Sequence, residues 1–352
     1  MSRKWLVDGV YTALVTPFTS SGAFMPDTLQ RNIEFQTSQG VVGLVPTGTT
    51  GESPTLQWDE HHFVIKKTIE AAKELFVLAG TGSNNTIEAF QASCQALDDG
   101  ADGVLILDPY YNKPASCQIR DNHHRFVAER IAKHYPNAPV VIYIIPGRTS
   151  CKLEPVDLAL LAETCPNVRA VKEATGDLDN MRMTRQLLGL DFCIFSGDDN
   201  KTAAMMTDPA IRANGVISVM SNIVPGAIVR MVKAFQRGAA AEGRRIAAAL
   251  EPLFELVGIA VPGIRHYKGV GIEVLDRFPN PCPIKTMMAI LGMDTGCSRW
   301  PLGPMSPAAV EITRRALLEV WNNSPWVLEP IQDFYGGSVS DRLAKAAPKP
   351  SS

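Results

Sequence analysis

The stretch "VRAVKEATGD", Val168 to Asp177, is an apolar run that stops on a lysine and a glutamate side by side, Lys172 and Glu173, before a glycine-containing turn. A run this short, rich in β-branched residues and bounded by a turn signal, predicts a strand buried on both faces. Seven other runs have the same character: "GVYTALV" from Gly9, "VVGLV" from Val41, "LFVLAG" from Leu75, "GVLIL" from Gly103, "VVIYII" from Val140, "FCIF" from Phe192 and "GVISV" from Gly215. Polar Gly/Pro/Thr loops and helical-period stretches lie between them. One such stretch, "PDTLQRNIEFQTSQG", has Pro26 placed for a first turn and Gly40 for a C-terminal cap. Strands that are apolar on both faces and alternate with helices imply a parallel sheet covered by helices. Eight such units predict an α/β fold of the (β/α)8 TIM-barrel type rather than an open sheet.

The alternation stops after Asn222. The expected organisation is a catalytic barrel over 1–224, a C-terminal helical appendix over 225–322 and an extension over 323–352. Within the appendix, Ala260 to Pro283 is punctuated by Gly and Pro and reads as a long loop, while the tail from Ser338 reads as disordered.

With 352 residues, 45% hydrophobic and 20% charged, the chain has a globular composition, and its net charge of -2 without like-charged blocks leaves no footprint for nucleic acid or an anionic membrane. No apolar stretch approaches a bilayer span, and the N-terminus lacks a signal-peptide pattern. Seven cysteines without a CxxC pair read as free thiols of a reducing compartment. These features point to a soluble, cytoplasmic protein.

Barrel chemistry comes from the C-terminal ends of strands. Lys172 stands at such an end. Burial in an apolar mouth disfavours an ammonium, and a neutral amine attacks carbonyls to give a Schiff base. A strand-end lysine more ordinarily emerges into solvent or pairs with its neighbour, here Glu173. "TGTTGE", Thr47 to Glu52, offers glycine turns, hydroxyls and N–H groups that suit a carboxylate, although a ligand-free glycine turn has the same composition. Tyr143, in an otherwise aliphatic strand, needs a partner for its hydroxyl and could shuttle a proton or serve only the core. Tyr110 and Tyr111, as extended neighbours, face opposite surfaces. Arg148 could clamp a carboxylate or lie on the surface. Asp198 and Asp199 could form a like-charge pair with one raised pKa, although a helix cap at the strand end is the more ordinary role. The His61–His62 and His123–His124 pairs fit no metal-ligand spacing, so no metal site is expected.

"GTTGE", "PYYNKP", the Tyr143-to-Thr149 segment and "KEATG", in that order, resemble the dihydrodipicolinate synthase family, within the pyruvate-dependent lyase superfamily that includes N-acetylneuraminate lyase. The resemblance runs from about Gly9 to Val320. It implies an aldol-type lyase with no metal or organic cofactor, in which Lys172 forms a pyruvate Schiff base and Tyr143 relays protons with Thr49 and Tyr111, the latter from a neighbouring subunit of a homodimer or homotetramer. It places Thr50, Ile217 and Gly197 at the pyruvate and Arg148 at the carboxylate of L-aspartate 4-semialdehyde. It also implies an L-lysine effector site at Ser53, Trp58, His61, Asn84, Glu88 and Tyr110. Ile144 and Pro54 depart from the family pattern, and the Ala260 to Pro283 segment is additional. Another pyruvate aldolase acting on a sugar acid or hydroxy-oxo acid shares the Schiff-base residues, and a non-catalytic ligand-binding barrel is a third reading.

Overall fold

The structure, a computed structural model, describes residues 6–293 and 295–344. Eight parallel strands form a closed barrel: β1 (Gly9–Ala13), β2 (Gly43–Val45), β3 (Phe76–Gly80), β4 (Gly103–Leu107), β5 (Val140–Ile144), β6 (Val168–Glu173), β7 (Cys193–Ser196) and β8 (Gly215–Ser218). They pair in sequence order, and β8 returns to β1 with Ile217 opposite Tyr11. The expected barrel is therefore the fold found, and all eight apolar runs are its strands.

Alternate residues of each strand face the inside. Within the barrel, Tyr11 packs edge-on against Phe76 and Phe195, with ring centroids 6.0 and 5.3 Å apart. Leu78, Leu105, Val141 and Ala170 fill the same layer, so the interior is a packed plug. Outward-facing residues such as Val104, Ile142, Val171 and Ile194 bury against the helices.

Helix Pro26–Ser38 begins on its proline, and Gly40 follows it at φ +82°, where a side chain would be strained. The helix Pro225–Gln236 lies against β1 and belongs to the ring around the barrel. The C-terminal part is helical as expected, with Ala240–Phe254, Cys282–Ile290 and Pro307–Asn323 as its longer helices. No helix among the described residues is long and apolar enough to cross a membrane.

Two expectations need correction. The segment read as a long loop is a β-hairpin, β9 (Gly258–Tyr267) and β10 (Val270–Pro279), paired antiparallel from Tyr267↔Val270 to Gly258↔Pro279. Its two-residue turn, Lys268 and Gly269, has φ of +49° and +81°, the sign pattern of the tight turns that match strand twist. The tail read as disordered from Ser338 is a helix over Val339–Ala344, and residues 345–352 lie outside the described residues. Just before it, helix Glu329–Tyr335 is tied back to the first barrel helix. Tyr335 donates to Asn32 Oδ1 at 2.8 Å, and Phe334 and Tyr335 both pack on Phe35.

Candidate active site

The strand pleat decides which neighbour faces the mouth. On β6, Ala170 and Ala174 face inward and are small, leaving room at Lys172, while Val171 and Glu173 face the helices. Lys172 is 4% exposed and pairs in register with Tyr143 on β5. Its Nζ lies 4.1 Å from the centroid of the Tyr143 ring. The ordinary fates of a strand-end lysine are thus both overturned: Lys172 is not solvated, and Glu173 turns the other way.

Glu173 is fully buried. It accepts from the Thr175 amide (3.0 Å) and from Asn180 Nδ2 (3.1 Å), and Lys152 reaches Asn180 Oδ1 at 3.1 Å. Burial outweighs these donors and raises its pKa from an ordinary 4.5 to about 7. The folded chain then holds this proton more tightly than the unfolded chain does. Stability falls as pH rises from about 4.5 to about 7, by about 3 kcal/mol, and the loss is complete above that range. His61 and His123, lowered by burial to about 4 and about 3, act oppositely and withdraw stability as pH falls below their ordinary 6.5. Their opposition masks Glu173 in the whole protein, so the informative quantity is a difference. Glu173→Gln should gain stability relative to the native chain on going from pH 5 to pH 8 in urea titrations. A constant difference across that range refutes the assignment.

Asp198, considered in the sequence only together with Asp199, interacts electrostatically with Lys172. Asp198 is half-buried and feels Lys172 and Lys201, yet burial dominates and raises its pKa. Asp199, expected to cap its own helix, instead braces the turn after β8: it accepts from Ser218 Oγ (2.5 Å) and from the amides of Val219 and Met220 (2.9 Å each). Gly197 approaches β6 so closely that a Cβ there would lie 2.7 Å from Ala174 Cβ.

The "TGTTGE" loop is fastened on several sides. Thr47 donates to the Gly80 carbonyl (3.0 Å), and Thr16 to the Gly51 carbonyl (2.7 Å). Gly80 is required at the end of β3, because a Cβ would meet Thr47 O at 2.8 Å and Gly48 N at 2.9 Å. Glu52, at φ +58°, turns inward to an ion pair with Lys285 at 2.5 Å, both side chains buried, and also accepts from the Arg299 amide at 2.8 Å. The loop is thereby anchored in the C-terminal helical part.

A cavity of about 390 Å³ opens over this loop, with Thr49, Ser53, Pro54, Tyr110, Tyr143, Arg148 and Asn280 in its wall. Lys172 is not itself in that wall; its Nζ meets the Tyr143 ring, which is. No side chain among the described residues hydrogen-bonds the Tyr143 hydroxyl or the Thr49 hydroxyl. Thr50 is buried, and its hydroxyl accepts from Asn280 Nδ2 at 3.0 Å. Arg148 is brought to the cavity, but its Nη2 is already committed to the Asn280 carbonyl at 2.9 Å. Asn280, immediately after β10, thus touches both Thr50 and Arg148. Its one sequence signal was its place beside prolines at the end of the misread segment.

Other expected residues fall elsewhere. Ile217 is buried in the barrel interior. Tyr111 is 83% exposed at φ +78° and is not in the cavity wall of its own subunit. Ile144 faces the outer core, so its departure from the family pattern does not alter the mouth. Of the expected effector residues, Trp58 packs edge-on against His61 at 5.0 Å, while Asn84 and Glu88 sit beside Tyr110, whose pKa burial raises. Glu88 also accepts from Ser83 Oγ at 2.8 Å.

Comparison with known proteins agrees with this geometry. A 4-hydroxy-tetrahydrodipicolinate synthase of Endomicrobium trichonymphae is 41% identical over 85% of the chain and 94% of its own length. One from Methanothrix thermoacetophila is 38% identical over 85% and 92%. Among solved structures, a dihydrodipicolinate synthase superposes with a TM-score of 0.77 at 38% identity, covering 89% of this chain and 99% of its own. A lysine-bound synthase from Cyanidioschyzon merolae does so at 0.77 and 32%, covering 89% and 98%. With residues 6–319 matching the model of the dihydrodipicolinate synthetase family, the chain belongs to that family.

Proposed function

We propose that the chain joins pyruvate to L-aspartate 4-semialdehyde to give 4-hydroxy-tetrahydrodipicolinate, on the way to lysine. The observation that supports this reading most is a buried lysine amine 4.1 Å from the ring of Tyr143, which itself lines the cavity. Lys172 Nζ adds to the C2 carbonyl of pyruvate, and loss of water leaves an iminium. Removal of a C3 proton gives the enamine, whose C3 attacks the aldehyde carbon. Tyr143, with Thr49, carries protons between these steps. Asp198 opposes the positive charge of the iminium.

Thr50, Gly197 and the Ile217 backbone position the pyruvate. The free N–H groups of Arg148 take the carboxylate of the second substrate, held in orientation by the Asn280 carbonyl. Tyr111, turned away from its own cavity, serves a neighbouring subunit in a homodimer or homotetramer. Ser53, Trp58, His61, Asn84, Glu88 and Tyr110 take L-lysine as an effector, as the lysine-bound relative suggests. Calorimetric titration with L-lysine should give saturable heat that Glu88→Ala abolishes, and the absence of heat from the native chain contradicts the effector site.

The sugar-acid aldolase reading is tested by substrate. Turnover of pyruvate with aspartate semialdehyde, and none with N-acetylmannosamine, is the expected outcome, and the reverse preference refutes the proposal. Arg148→Ala should raise KM for the aldehyde roughly tenfold to a hundredfold while leaving pyruvate binding unchanged.

A further inference from the structure

The barrel closes on itself through β1 and β8, so none of its eight strands keeps a free edge; among the described residues β9 and β10 pair only with each other. A two-stranded hairpin is marginal in water, and an open edge is a template for another strand. This hairpin is anchored at its base, where Ile259 and Val261 are buried, but its outer half is apolar on both faces. Tyr267, Val270 and Ile272 are exposed on one face, Ile264 and Leu275 on the other.

Charge placement distinguishes the two edges. On β9 the basic residues are Arg265 and His266 and there is no carboxylate, so pairing β9 with a copy of itself supplies no acid. On β10, Asp276 is taken by Arg265 within the hairpin at 2.8 Å, while Glu273 and Arg277 make no ion pair among the described residues. Glu273 and Arg277 stand two residues either side of Leu275, on the same face as it. Antiparallel pairing of β10 with a second β10 about a two-fold axis at Leu275 sets each Glu273 opposite the other copy's Arg277. It also sets Leu275 against Leu275 and Ile272 against Phe278. The arrangement is self-complementary, as a two-fold interface requires.

We propose that β10 is an association edge for a second copy of this chain, the two hairpins forming one four-stranded antiparallel sheet centred on Leu275. This surface is independent of the lyase chemistry, and its residues lie outside the cavity wall.

The test is made on the full chain by sedimentation velocity over a concentration series, and what it reads is the step of assembly lost on changing β10, as distinct from any association made through Tyr111. Glu273→Arg and Arg277→Glu each turn two opposite-charge pairs into like-charge pairs and should weaken association roughly tenfold or more. The double exchange Glu273→Arg/Arg277→Glu should restore it. As a second measurement, Leu275→Cys should give a covalent dimer on mild oxidation, since directly opposed antiparallel residues lie within disulfide reach. Peptide mapping should place the bond at 275–275, and the native chain, which carries exposed Cys117 and Cys297, gives the background. A native chain that stays monomeric, single exchanges without effect, a double exchange that fails to rescue, or no 275–275 bond each overturns the proposal.

Discussion

Borohydride added in the presence of pyruvate is expected to leave a reduced three-carbon adduct on Lys172 and on no other lysine. The chain offers an internal control, because Lys285 is also buried and burial lowers its pKa. Lys285, however, is held by Glu52 at 2.5 Å and by the Cys297 carbonyl at 3.2 Å, so its amine is not free to attack a carbonyl. Among the described residues Lys172 makes no hydrogen bond or ion pair of that kind, feels Asp198 only through space, and stands beside the ring that would relay its protons. Lys172→Ala should lower kcat/KM at least ~10³-fold, a loss of about 4 kcal/mol of transition-state stabilisation. Lys172→Arg should be equally inactive, since a guanidinium keeps its proton and forms no imine under these conditions. Peptide mass spectrometry that finds the adduct on Lys285, or nowhere, rejects the Schiff-base assignment.

The second large effect is on stability. Lys285→Met leaves the Glu52 carboxylate buried with the Arg299 amide as its remaining donor, which should cost about 3–5 kcal/mol in a urea titration. Glu52→Gln/Lys285→Met should recover most of that loss, because neither charge then remains buried. If Lys285→Met unfolds at the native urea midpoint, the pair does not hold the loop to the C-terminal helices. The variant also reports on catalysis, since Glu52 closes the "TGTTGE" loop that carries Thr49 and Thr50.

Much of this was legible in the sequence because the barrel repeats one signal eight times. A parallel strand covered on both sides shows as an unbroken apolar run, and Lys172 stood out by breaking one. The hairpin was hidden by its own composition. Pro262, Gly263, Gly271 and Pro279 read as loop punctuation, whereas an edge strand tolerates them, and the better cue was Lys268–Gly269 between two β-branched runs. Asn280 and Asp198 could not be ranked from sequence. Their importance comes from what the fold brings opposite them: Thr50 and Arg148 for one, Lys172 for the other. The ion pair between Glu52 and Lys285 spans more than two hundred residues, beyond the reach of any local pattern.

The aromatic plug formed by Tyr11, Phe76 and Phe195 also sets the traffic through the site. The plug fills the barrel interior, so a ligand reaches the Tyr143 face of the cavity from the loop end of the strands. On the proposed chemistry that same opening must serve the keto acid, the aldehyde and the product, so each turnover has to clear it before the next begins.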